Sequence, residues 1–185
     1  MDIITLVGPR AVGKSTVGRI LAKEIGYQFF DVDKYMHNKL EKIGGIGEYT
    51  NKYGWKKYMN LLRWTLRHEI IPDIIRSNKK IILDCGGGMI GSEFGASKSM
   101  AKLLRNHSKI IMLIPHEDDQ KGLNILYKRE LERPYWKGMS TEQIKEQIRK
   151  NYYERVPLIR KQAHHIVHID DRKTNAIVEI LRKLV

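Results

Sequence analysis

Residues 8–15, Gly-Pro-Arg-Ala-Val-Gly-Lys-Ser, fit the spacing G-x-x-x-x-G-K-[ST], and each residue type in that order has a task. Gly8 and Gly13 let the backbone turn tightly, so that successive N–H groups converge on an anion. A helix starting behind them adds its positive N-terminal end. Lys14 reaches the terminal phosphates of a nucleotide, and the Ser15 hydroxyl offers a hard oxygen to Mg2+. Arg10, Ala11, Val12 and Thr16 complete the stretch expected to wrap those phosphates. A glycine-rich turn with a solvated lysine is the plain alternative, and it leaves the Gly-Lys-Ser order unexplained.

Two acidic segments separate a small-molecule kinase from a GTPase or a motor ATPase. Asp31-Val32-Asp33 follows an apolar run, so both carboxylates belong at a strand's C-terminal end, where open α/β sheets bind ligands. One carboxylate would serve Mg2+ while the other accepts a hydroxyl proton. The alternative there is a capping pair that starts a helix at Lys34. Ile81-Ile82-Leu83-Asp84 is a second strand ending in an acid, placed like the strand-end carboxylate that supports magnesium in P-loop enzymes. The following Gly86, Gly87 and Gly88 permit close approach of a ligand to the backbone, or else form a flexible turn. Cys85 reads as structural, with no activating base beside it in sequence.

These residues need a scaffold that brings strand ends together. Apolar, β-branched runs at 2–7, 80–84, 109–114 and 165–169, with a weaker one at 27–30, are mostly separated by helical patterns of more than ten residues. That alternation predicts an α/β fold built on a five-stranded parallel sheet. Helices are expected over 12–25, 96–106, 117–130, 141–154 and 174–184, and a long helical pattern over 48–77 is interrupted near Pro72. The pattern fits one domain, 1–185, with an acceptor-binding helical insertion at about 33–77 and a lid at about 131–140. The lid expectation rests on Glu132-Arg133-Pro134-Tyr135-Trp136-Lys137-Gly138, a Pro- and Gly-punctuated stretch with aromatics and two cations.

Composition narrows the partners. Lys and Arg number 34 against 21 Asp and Glu, a net charge of +13, so the partners are anions: nucleotide, acidic metabolite, nucleic acid or membrane surface. No apolar run approaches the roughly 18 residues that a membrane span needs. With one cysteine and no visible export signal, the cytoplasm is the expected compartment, and a monomer the expected state. The seven histidines form no metal-ligand spacing.

Together, GPRAVGKST, Asp31-x-Asp33, Gly86-Gly87-Gly88, the Arg133-Pro134 lid and Glu154-Arg155-Val156-Pro157-Leu158 resemble the shikimate kinase family over nearly the whole chain. The resemblance implies a P-loop NTPase-type, three-layer fold like that of nucleoside monophosphate kinases. It also implies transfer of the γ-phosphoryl group of ATP, with Mg2+, to the 3-hydroxyl of shikimate. By the same resemblance Asp33 contacts the acceptor hydroxyls and Asp31 belongs to the magnesium shell. Gly86, Gly87 and Gly88 line the acceptor pocket, Arg155 pairs with the acceptor carboxylate, and Arg133 closes over the transferred group. Arg129 stacks on adenine, and Arg172, after the last strand, joins the nucleotide-binding cations.

One stretch departs from the family. A Gly-x-x-x-Phe-Arg-x-x-Glu pattern, which supplies a second carboxylate-binding arginine and its glutamate, is here Gly54-Trp55-Lys56-Lys57-Tyr58-Met59-Asn60-Leu61-Leu62. Met59 stands at the arginine position and Leu62 at the glutamate position, and a thioether cannot hold a carboxylate bidentately. Arg63, one helical turn after Met59, reaches the same side and would compensate; otherwise the acceptor is another hydroxylated metabolite. Trp55, Tyr58 and Trp64 read as helix-packing core, against a role in a reshaped pocket. A nucleic-acid-binding P-loop protein is the remaining alternative. It draws on residues 128–161, where ten Lys and Arg face five Glu with Tyr152 and Tyr153 interleaved. Cations gathered around a triphosphate account for that surplus more simply.

Overall fold

The computed structural model describes residues 2–86, 88–91, 97–132, 136, 138–170 and 172–185. Five strands, β1 Ile3–Val7, β2 Gln28–Asp31, β3 Ile81–Asp84, β4 Lys109–Ile114 and β5 His165–His168, form one sheet in the order β2-β3-β1-β4-β5. Every pairing is parallel. The three inner strands are buried almost throughout, which is why they read as unbroken apolar runs rather than alternating ones. The edge strands β2 and β5 are only partly covered, and β2 was correspondingly the weakest strand signal.

Helix α1, Lys14–Ile25, returns from β1 to β2, burying Val17, Leu21 and Ala22, and packs against α9, Thr174–Arg182. It ends at Gly26, whose φ of 69° is the left-handed conformation a helix C-terminus favours. Between β2 and β3 run α2 Val32–Lys39, a 3₁₀ turn at Glu41–Ile43, α3 Gly45–Tyr53, α4 Trp55–Thr65 and α5 Ile71–Ser77. Glu69 fastens this insertion together, accepting from the Lys39 ammonium at 2.6 Å and from the Tyr35 hydroxyl at 3.2 Å. Then α6 Ser97–His107, α7 Asp119–Leu131 and α8 Thr141–Arg160 complete the helices among the described residues.

Two breaks fall elsewhere than the sequence pattern suggests. The 48–77 stretch breaks at Gly54, where φ is 83°, and not at Pro72. Ahead of Pro72 the helix widens into a π segment, Leu66–Ile70, with the Ile71 N–H bonding to the Leu66 carbonyl, so the chain passes the proline without stopping. Helix α8 likewise runs past residue 154 to Arg160 with Pro157 inside it, held by the buried Val156 and Ile159 on either side. Its start is fixed by a reciprocal cap between Ser140 and Gln143.

Candidate active site

The sheet register assembles the site. Leu6 pairs with Asp84 and Asp31 also pairs with Asp84, so two acids end adjacent strands directly beside the loop that follows Val7. In that loop a Cβ on Gly8 would lie 2.2 Å from the Leu113 carbonyl oxygen, and only glycine fits. Gly13, at φ 104°, opens α1 with no side-chain cap, so the first-turn amides face outward as an anion site. The Lys14 ammonium folds back on the Gly8 and Pro9 carbonyls at 3.3 and 3.2 Å.

Ser15 Oγ donates to Asp84 Oδ2 at 2.5 Å. Asp84 is buried, and burial pushes its carboxyl above the ordinary aspartate range, opposed by Lys14 and by the Ser15 bond. Asp33 is raised as well, first by the protein closing around it and then by the charges of Asp84 and Asp31, against the pull of Lys14 and Arg10. Its side chain stays open to water despite that enclosure, which describes a group at the floor of a cleft. Asp31 does what a capping aspartate does: Oδ1 accepts from the Lys34 N–H at 3.0 Å while Oδ2 pairs with Arg19 at 3.1 Å. The hydroxyl and carboxylate of Ser15 and Asp84 are the hard oxygen pair that Mg2+ takes alongside phosphate and water.

Past β3, Gly86 and Gly88 come close to side chains expected to meet the acceptor. A Cβ on Gly86 would sit 3.9 and 4.0 Å from the two Asp33 carboxylate oxygens. One on Gly88 would sit 3.5 Å from Met59 Cε and 3.7 Å from Arg155 Nη1. Arg63 is buried on the same face of α4 as Met59, one turn on, and that burial lowers its pKa. Ala11, Val12, Gly13, Thr16, Arg129 and Arg172, together with Glu132, line a cleft of about 410 Å³. Arg129 donates to the Ala11 and Val12 carbonyls at 3.3 and 3.2 Å, and Arg172 pairs with Asp170 at 2.9 Å.

The described residues thus offer two groupings: the cleft lined by Ala11, Val12, Gly13, Thr16, Arg129 and Arg172, and a set in which Asp33 lies against Gly86 while Met59 and Arg155 lie against Gly88. The shikimate kinase family model matches residues 10–185. The chain belongs to the shikimate kinase family. It is therefore a phosphotransferase with a hydroxyl acceptor, on a P-loop fold like that of nucleoside monophosphate kinases. Shikimate kinase 2 of Yersinia enterocolitica is 25% identical over 184 residues, covering 98% of this chain and 94% of that protein. The crystal structure of shikimate kinase from Bacteroides thetaiotaomicron superposes with a TM-score of 0.78 at 22% identity, covering 98% of this chain and 97% of that one. Shikimate kinase from Acinetobacter baumannii in complex with shikimate gives 0.70 at 22% identity, over 98% and 91% of the two chains. The family uses ATP, generally with Mg2+.

Gly87 and the lid cation Arg133 lie outside the described residues, as do Pro134, Tyr135 and Lys137. Of the three aromatics expected in the helix core, Tyr58 is 2% exposed, while Trp55 and Trp64 stand at 41% and 53% and belong to the surface. Trp64 rests on His68 with ring centroids 5.2 Å apart. On the basic stretch, Arg149 pairs with Glu146 at 3.0 Å and Lys150 with Glu154 at 3.9 Å, so part of that charge is spent within α8.

Sequence reasoning missed Ile169, Thr174 and Ile177 in the nucleotide cleft, and also Glu130, which lies 3.2 Å from Arg10. The position of Ile169, directly after β5 at the ligand-binding edge of the sheet, was a usable signal. No pattern marked Glu130. No helix among the described residues is long and apolar enough to cross a membrane, and none of their His, Cys, Asp and Glu form a ready metal cluster.

Proposed function

We propose that the chain catalyses transfer of the γ-phosphoryl group of ATP to the 3-hydroxyl of shikimate, giving shikimate 3-phosphate and ADP, as a monomer in the cytoplasm. The observation that carries this reading is that Asp33, a carboxylate able to take a hydroxyl proton, lies against Gly86, while Arg155, a guanidinium able to hold an acid, lies against Gly88. A hydroxylated carboxylic acid spans such a pair; a simple alcohol does not.

In this reading the amides of the 8–15 loop hold the ATP phosphates, with Lys14 neutralising the terminal ones and Arg129 and Arg172 flanking the nucleoside. Ser15 and Asp84 would hold Mg2+, which would supply countercharge to the phosphates, and Asp31 on the neighbouring strand would belong to the magnesium shell. Asp33 orients the acceptor hydroxyl and receives its proton as the oxygen bonds to the γ-phosphorus. The bond to the β-bridging oxygen breaks, and ADP leaves with its electron pair. Arg133 adds charge over the group in flight. Arg155 fixes the acceptor carboxylate, and Arg63 serves as the second guanidinium that Met59 does not provide.

Met59 favours a second reading, in which the same machinery serves a different hydroxylated metabolite, because an apolar thioether lies where Arg155 meets Gly88. A coupled ADP-release assay over a panel of hydroxy acids and sugars separates the two. Shikimate as the most efficient acceptor supports the first reading; no stimulation by shikimate at millimolar concentration removes it.

A further inference from the structure

Glu130 is one of two buried acids among the described residues, and the proposed transfer uses only the other, Asp84. At 1% exposure its carboxylate sits deeper than Asp84, and its two oxygens face two different segments. Oε1 lies 3.2 Å from Arg10 Nε in the phosphate loop, and Oε2 accepts the Trp136 indole N–H at 2.8 Å. The Arg10 guanidinium carbon is 5.7 Å from the Trp136 ring centroid, so the three groups close a triangle. The adjacent Arg129 holds the carbonyls of Ala11 and Val12. The end of α7 therefore grips three consecutive loop residues, including Ala11 at φ 61°, a conformation an alanine keeps only when held.

A buried carboxylate is a costly way to fill space; it is worth its desolvation only where it joins charges or donors that must stay in register. We infer that Glu130 is a positioning residue that registers the Trp136 side chain against Arg10 of the phosphate loop, so that nucleotide bound at the loop is felt at Trp136. This rests on the nucleotide half of the proposed function and is independent of the acceptor.

The test uses the full chain with Trp55→Phe and Trp64→Phe, which leaves Trp136 as the sole indole of the three. Tryptophan emission is followed while Mg2+ and the β,γ-imido analogue of ATP are titrated. The expected result is a saturable change in emission. Glu130→Gln should weaken analogue binding about three- to tenfold, the net worth of a typical hydrogen bond, and remove most of the change. Arg10→Gln combined with Glu130→Gln should bind no more weakly than the worse single variant, because the pair acts as a unit. A lower melting temperature with unchanged affinity, or losses that multiply, would overturn the assignment. Trp136→Phe, which keeps a ring and removes only the donor, covers the case in which Glu130→Gln does not fold. Calorimetry on it should show a similar weakening, and unchanged affinity overturns the assignment. An acceptor panel that fails entirely leaves this experiment standing, whereas a parent protein that does not bind the analogue overturns both readings.

Discussion

Met59 and Arg155 meet at one backbone position: a side chain begun at Gly88 would touch the thioether methyl at 3.5 Å and the guanidinium at 3.7 Å. An apolar group and a cation therefore share the wall of the proposed acceptor site. Arg155→Met is expected to raise the acceptor KM roughly thirtyfold or more, the equivalent of about 2 kcal/mol for unpairing a buried charge, with the ATP KM unchanged. Met59→Arg works in the opposite direction for an acid. It gives the carboxylate a further guanidinium beside Arg155 and Arg63 and should lower the shikimate KM about tenfold, with no gain for uncharged polyols. Steady-state kinetics on both variants check this; an unaltered shikimate KM in Met59→Arg removes Met59 from specificity.

The Ser15–Asp84 contact predicts a separable metal phenotype. Ser15→Ala removes one oxygen of the proposed Mg2+ site and leaves the packing around it intact. The Mg2+ concentration for half-maximal rate should rise about tenfold or more at saturating ATP, a loss of about 1.4 kcal/mol. A Mg2+ titration that superposes on the parent's would place the metal elsewhere.

The scaffold was legible because its physics is local. Strands buried on both faces must be apolar throughout, and β1, β3 and β4 announced themselves that way, whereas β2 at the edge did so only weakly. The phosphate loop was legible because Gly8 and Gly13 answer to backbone constraints that no other residue meets. Other features answer to packing that sequence spacing does not encode. Pro72 leaves the helix unbroken because a π segment absorbs it, and Glu130 reads as one more surface acid until α7 brings it beneath Arg10. Asp31 was ambiguous between cap and metal support, and its oxygens are engaged by Lys34 and Arg19.

Asp33 and Asp84 make activity and stability run in opposite directions with pH. Both carboxyls are raised in the fold, chiefly by burial, so holding them ionised costs more folded than unfolded. Their contribution to stability is full below the unfolded aspartate value and is lost as pH rises through the folded ones. Activity needs Asp33 ionised to accept the hydroxyl proton, so kcat/KM should climb with pH along an acid limb displaced above the ordinary aspartate range. Asp84→Asn should raise the melting temperature at neutral pH while lowering kcat at least tenfold through the metal site. Calorimetric scans and a pH–rate profile test it: an acid limb at the unperturbed aspartate position, or a less stable Asp84→Asn, contradicts the electrostatic account.

The two loop glycines should separate steric from conformational demands. At Gly8, where φ is 145°, a Cβ would press to 2.2 Å from the Leu113 carbonyl oxygen, so β4 or the loop must shift. Gly8→Ala should cost on the order of 3 kcal/mol or more and lower the melting temperature by roughly 6–12 °C. At Gly13 nothing stands within 4 Å of the added carbon, and only the φ of 104° opposes it. Gly13→Ala should then cost about 1–2 kcal/mol of stability, yet weaken ATP binding, because relaxing that φ turns the first amides of α1 away from the phosphates. Thermal unfolding and nucleotide calorimetry on the pair decide the point. Equal destabilisation by the two substitutions would mean that backbone conformation, and not the contact with Leu113, sets the demand for glycine at residue 8.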